Sequence, residues 1–158
     1  MWSIFLVNLD ASLRPDFEMA IRVLGDTGIG GDRTAGYGQF EPQFSKFTLN
    51  IPDNASQAVT LSLLSPRNRA ELSNYLGEQS AYELIRRDGW IDSPDGRNYR
   101  RRACLMFAEG SVINRSENGM MGRLVDVTPT APEVQLTHSV YRYGIGFPVP
   151  ICLREDGV

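Results

Sequence analysis

Histidine and lysine each occur once in this 158-residue chain, and cysteine occurs twice. Each scarcity removes a class of chemistry. A lone His138, with no Cys-x-x-Cys pair and no Cys/His cluster, leaves no zinc-ligand set, so no metal and no cofactor are expected. Cys104 and Cys152 stand far apart in apolar contexts, which suits two buried, reduced core thiols and not a disulfide framework. No apolar run approaches the roughly 20 residues that cross a bilayer, since "WSIFLV" and "YGIGFPVPI" are only strand-length. The opening "MWSIFLVNLD" lacks a basic n-region and a small-residue cleavage site, so no membrane association and a cytoplasmic location are expected. With a formal net charge of −3, the chain does not hold nucleic acid by bulk positive potential. Any polyanion contact has to be local.

What is present is an ordinary globular composition, 42% apolar and 22% charged, at a length that suits one domain over residues 1–158. Every cation except Lys46 is an arginine, whose planar fork fits phosphates and bases, although a GC-rich genome produces the same bias. The arginines cluster in "IRRDGW", at Arg86 and Arg87, and in "GRNYRRRA", at Arg97 and Arg100 to Arg102. On a strand, Arg100 and Arg102 share one surface and Arg101 does not join them.

Trp2 to Asn8 reads as a buried strand. Pro15 opens a helix with Asp16 and Glu18 in its first turn, an apolar stripe of Phe17, Ala20, Ile21 and Leu24, and a stop at Gly25. "KFTLNI" and "VTLSLL" alternate as an antiparallel hairpin with one wet face. "SPRNRAELSNYLG" offers a helix capped by Ser65 with Pro66 in its first position and Gly77 at its end. "AYELIRRDGWI" and "NYRRRACLMFA" read as two more strands joined at "DSPDG". Strand, helix, hairpin, helix, strand is the α+β ferredoxin-like order, the split βαβ of RRM-like domains. A further hairpin and a C-terminal strand from Gly119 onward decorate it.

Six of the 15 glycines lie between Leu24 and Phe40. A Walker loop would end in Gly-Lys-Ser/Thr, where "GIGGDRTAG" has Asp32-Arg33-Thr34. A dinucleotide fingerprint would sit between a strand and a helix, whereas this stretch follows a helix and lacks the third glycine. "GYGQF" imitates an RNA-recognition octamer, but Gln39 displaces the second aromatic and Pro42 is unsuited to a central strand. The glycines either close an irregular connection or expose backbone N–H groups to an anion, with Arg33 adding a charge.

"FEMAIRVLGDTGIGGDRTAGYGQFE" resembles the signature of the RAMP-superfamily subunit of type III-A (Csm) CRISPR effector complexes, which caps the 5′ end of the guide RNA. "ELIRRDGW...RRRACLMFAEGSVI" and "LTHSVYRYGIGFPVPI" resemble that family's later strands. The likeness covers nearly the whole chain and corresponds to the C-terminal half of a protein with two ferredoxin-like halves. It implies a noncatalytic RAMP domain that grips the crRNA 5′ handle. The large polymerase-like subunit, the backbone RAMP subunit and the missing N-terminal half are the implied partners. Carried over by position, the handle contacts are Gly28, Gly30, Gly31, Arg33, Thr34, Gly36, Tyr37 and Gly38, followed by His138, Tyr141, Arg142 and Tyr143.

Two other functions fit the same residues. Relatives on this fold process guide RNA without metal through a histidine, which makes His138 the test of an endoribonuclease, although no acid/base partner is near it in sequence. A protein-only assembly module would use Trp90, Phe147 or Tyr143 as anchors. Asp26 and Asp32 flank the glycines without the neighbouring carboxylate that metal chemistry needs.

Overall fold

The computed structural model describes residues 3–30, 32–91, 98–116, 120–130 and 136–153. The chain divides into two compact units, Met1–Leu49 and Asn50–Val158.

In the first unit, Asp10 accepts hydrogen bonds from the Ser12 amide (2.8 Å) and hydroxyl (2.6 Å), starting a 3-10 turn over Ala11–Leu13. It leads into helix α1, Arg14–Thr27, with Pro15 in its first turn and Glu18 paired to Arg14 (2.7 Å) and Arg22 (3.6 Å). The helix does not stop at Gly25, as its sequence suggests, but runs to Thr27 and ends at Gly28, whose N–H donates to the Leu24 carbonyl at 2.7 Å. Gly25 serves packing instead. A Cβ there would land on the Phe40 carbonyl oxygen, and the Phe40 N–H donates to the Gly25 carbonyl at 3.1 Å. The expected first strand is absent: residues 3–10 form no helix or strand, and Ile4 and Phe5 are 89% and 78% exposed. A strand exists only where another supplies its hydrogen bonds, and none is paired to this segment.

The second unit carries every strand among the described residues, and all the pairings are antiparallel. Strand β1 (Gln57–Thr60) is followed by helix α2 (Arg69–Tyr75), β2 (Leu84–Arg87), β3 (Trp90–Ile91), β4 (Tyr99–Arg100) and β5 (Cys104–Phe107). Then come β6 (Val112–Asn114), β7 (Gly122–Asp126), β8 (Tyr141–Ile145) and β9 (Pro148–Ile151). The architecture is α+β with few helices. The expected "KFTLNI" hairpin does not form, because β1 lies between β6 and β9 in a three-stranded sheet. Pro148 and Pro150 occur at alternate positions of β9, so the donors to β1 are Val149 and Ile151, and the outer edge lacks both N–H groups that would recruit another strand. β2 pairs with β5, β3 with β4 and β7 with β8; the β7–β8 pair and β9 stand where a hairpin and a terminal strand are expected beyond Gly119. The "DSPDG" turn falls outside the described residues.

Helix α2 begins three residues later than the Ser65 cap suggests. Leu64 exchanges hydrogen bonds with Phe107, and Ser65 is bonded to Gly144 and Arg123, so both are held extended. Asn68 caps the helix instead, accepting the Glu71 N–H at 2.9 Å. Leu64, Tyr75, Phe107, Ile113 and Met121 form the core, with Leu76 packed against them. The Phe107 ring meets Tyr75 and Tyr82 edge-on, at centroid distances of 6.3 and 5.2 Å.

Glu71 ties α2 to β7. Its carboxylate accepts from the Arg67 main-chain N–H, from Arg67 Nε (2.9 Å) and Nη2 (2.8 Å), and from the Gly122 N–H (3.5 Å). Burial works to raise its pKa, but the Arg67 guanidinium and these N–H donors outweigh it and hold the carboxyl at about 2. The expected core thiols are not both buried, since Cys104 is half-buried and Cys152 exposed. Neither cysteine is bonded to the other.

Candidate nucleic-acid interface

The glycine loop closes on itself just after α1. The Ile29 N–H donates to the Gly38 carbonyl at 3.0 Å, and the Asp32 carbonyl accepts from Ala35 (3.1 Å) and Tyr37 (3.4 Å) around a 3-10 turn at Arg33–Ala35. Gln39 Nε2 ties the exit of the loop to the Asp26 carbonyl at 3.0 Å.

Two kinds of glycine emerge. At Gly38 a Cβ would fall on the Ile29 carbonyl oxygen, and at Gly28 it would meet the Tyr37 carbonyl oxygen at 2.8 Å, so these two let the limbs of the loop touch. Gly30 and Gly36 also have positive φ, +101° and +81°, yet nothing lies within 4 Å of a Cβ at either. Their absent side chains leave open backbone on the outside. Arg33 and Thr34 are exposed between them, the Arg33 guanidinium has no ion pair among the described residues, and Tyr37 is 69% exposed. Gly31 lies outside the described residues.

The second set of site residues belongs to the other unit. His138 is exposed in the connection before β8. In the β7–β8 register, Tyr143 opposes Leu124 and Tyr141 opposes Asp126, placing all four on one face, while Arg142 opposes Val125 on the other. Tyr141, Tyr143 and Leu124 are 58%, 63% and 51% exposed. Arg142 is half-buried, and its Nη2 donates to the Asp88 carbonyl at 3.1 Å. It braces β8 and does not extend the tyrosine face.

The sequence reading missed Leu124 and the arginine that borders this face. Arg102 pairs with Asp126 at 3.3 Å and donates to the Asp126 carbonyl at 2.9 Å. Alternation in "GRLVD" carried the signal for Leu124 and Asp126, and alternation in "YRY" separates Arg142 from its neighbours. The pairing of β7 with Arg102 has no local signal. As expected from alternation, Arg100 and Arg102 are exposed, whereas Arg101 is half-buried with its Nε out of reach of solvent. No helix among the described residues is long and apolar enough to cross a membrane.

Antiparallel strands, two helices, an open-backed glycine loop and an exposed aromatic strand face define the class, an α+β domain compatible with the RAMP type. The chain belongs to the CRISPR Csm4 C-terminal domain family, whose match spans residues 53–151. Three proteins called CRISPR system Cms protein Csm4 are similar to it. The one from Thermococcus onnurineus is 36% identical over 137 residues, covering 86% of this chain and 39% of the relative. That from Streptococcus thermophilus is 28% identical over 123 residues (74% and 38%), and that from Methanocaldococcus jannaschii 24% over 169 residues (94% and 43%). The chain thus spans about two fifths of the length of these relatives. The resemblance read from its motifs, to the C-terminal half of the RAMP-superfamily subunit of type III-A (Csm) effectors, is borne out.

Proposed function

We propose that this chain is the crRNA-gripping, noncatalytic half of its effector subunit, a single ferredoxin-like RAMP domain that holds the 5′ handle of the guide RNA in the cytoplasm. The observation that carries this is the division of labour among the loop glycines. Gly28 and Gly38 are accounted for by loop closure, whereas Gly30 and Gly36 leave uncovered backbone beside Arg33, which has no ion pair among the described residues. A phosphodiester chain can approach such a surface closely, with an arginine fork to meet it. Gly31, Thr34 and Tyr37 complete the loop contact, and His138, Tyr141 and Tyr143 make a second one. The large polymerase-like subunit, the backbone RAMP subunit and the N-terminal half of the family protein are its protein partners.

The test is the affinity of the chain for a short single-stranded RNA bearing a repeat-derived 5′ handle, against an unrelated RNA, at two salt concentrations. Arg33→Ala should weaken handle binding and lower the salt slope by about 0.7, the counterion release of one single-strand phosphate contact. Handle binding unchanged by Arg33→Ala sinks the loop as the site. Cleavage of a repeat RNA that His138→Ala abolishes would replace this reading with the endoribonuclease one.

A further inference from the structure

We propose that the outward face of the β7–β8 ribbon is a base-stacking surface for single-stranded RNA, in which Tyr141 and Tyr143 each carry an unpaired base and Arg102 takes a phosphate at its margin. The inference rests on the RNA-binding reading above and deepens it. It assigns to the unit without the glycine loop its own mode of contact, and it brings in an arginine that the sequence alone leaves as solvated charge.

The geometry comes from the strand period. Tyr141 and Tyr143 stand two residues apart on β8, about 7 Å along an extended strand, and project on the same side. Leu124 extends the apolar floor opposite Tyr143. At Gly144 and Arg142 the ribbon's other face is committed to the body of the unit, while Arg123 on that face is exposed. A Cβ on the buried Gly144 would meet Met106 Cε and Ser65 Cβ at 2.8 Å each, and Arg142 is bonded to Asp88. The tyrosines are therefore held outward on a supported strand pair. Paired aromatics on a sheet are how β-modules hold two splayed bases.

Charge selects a polyanion as occupant. Over residues 84–107 and 122–145 the sequence has eight arginines (Arg86, Arg87, Arg97, Arg100, Arg101, Arg102, Arg123 and Arg142) against five acids, Asp88, Asp92, Asp95, Asp126 and Glu133. Asp88 is shared by Arg100 (3.1 Å) and Arg86 (3.7 Å), and Asp126 is engaged by Arg102 and by the Thr128 N–H at 2.8 Å. These segments carry a net positive charge in a chain whose net charge is −3. Arg102 reaches the tyrosine face through Asp126, which lies directly across from Tyr141. Arg142 is a positioning residue here.

The experiment uses the whole chain and a fluorescein-labelled, unstructured pyrimidine RNA of about ten nucleotides, followed by anisotropy. The double variant Tyr141→Leu/Tyr143→Leu should bind about tenfold or more weakly, while Tyr141→Phe/Tyr143→Phe stays within about twofold of the parent, because stacking needs the ring and not the hydroxyl. Arg102→Gln should lower the salt slope by about 0.7. Thermal melts that match the parent exclude unfolding as the cause. Parent-like binding by the leucine pair overturns the surface, as does a phenylalanine pair as weak as the leucine pair, or equal affinity for the duplexed RNA. The two readings separate cleanly. A weakened leucine pair beside an unaffected Arg33→Ala removes the glycine loop alone, and the reverse removes the tyrosine face alone. Absence of binding by the parent chain removes both.

Discussion

The two units hold themselves together by different means. Among the described residues of the first, only Gly25 and Gly28 are buried, and its tightest contacts are backbone against backbone. In the second, large side chains are sealed from solvent around Phe107, and a buried carboxylate bonds a helix to a strand. One region depends on side chains that are missing, the other on side chains that are present. Adding a methyl group should damage the first most, and removing carbons should damage the second. The Csm4 C-terminal family match falls on the second unit alone.

The largest effect belongs to the core. Phe107→Ala should cost about 3–5 kcal/mol, through lost burial, the cavity left behind and two edge-on ring contacts. Denaturant titration of the whole chain measures it, and a loss below about 1 kcal/mol would mean that the core is not organised around this ring.

Next is acid. Glu71 has a folded pKa of about 2 against an ordinary 4.5, so its stabilising contribution is complete above about pH 4.5 and is lost as pH falls towards 2. That gap corresponds to on the order of 3 kcal/mol. Melting temperatures between pH 5 and pH 2 should drop for the parent and much less steeply for Glu71→Gln, which is already destabilised at neutral pH. Parallel pH profiles would contradict the assignment.

Smaller effects separate the glycines. Gly38→Ala combines a positive φ with a clash against the Ile29 carbonyl, which is worth about 2–3 kcal/mol of local stability. Hydrogen exchange at the Ile29 amide should speed up accordingly. Gly30→Ala meets no neighbour and bears only the left-handed backbone penalty, about 1 kcal/mol. Equal protection losses in the two variants would erase the distinction between closing and open glycines. Smallest of all, Arg14→Ala removes an exposed i,i+4 pair with Glu18 and should shift stability by less than about 0.5 kcal/mol.

Helix α1 was legible because its signals are local: proline near the start, Asp16 in the first turn and a repeating apolar stripe. Its end was read three residues short because Gly25, locally a stop, is required by the approach of Phe40 from beyond the loop. The "KFTLNI" segment alternates like a strand, yet the β1 partners come from near residues 113 and 150. Alternation shows that a segment suits pairing and leaves its partner unnamed. At the candidate site, the glycines, Arg33 and the two tyrosines could be picked out by residue type, whereas the bracing role of Arg142 and the Arg102–Asp126 border needed the register of β7 on β8.

By itself, the sequence determined that the chain is α+β, where its glycines concentrate, which tyrosines share a strand face and which family it resembles. Each of these depends on residue type and short-range periodicity. Tertiary structure decided which glycines close the loop and which leave it open, that Asn68 and not Ser65 caps α2, and that Arg102 borders the tyrosine face. The first depends on how one loop folds back on itself, and the other two on contacts between residues far apart in the chain, set by strand register and packing, which no single stretch encodes.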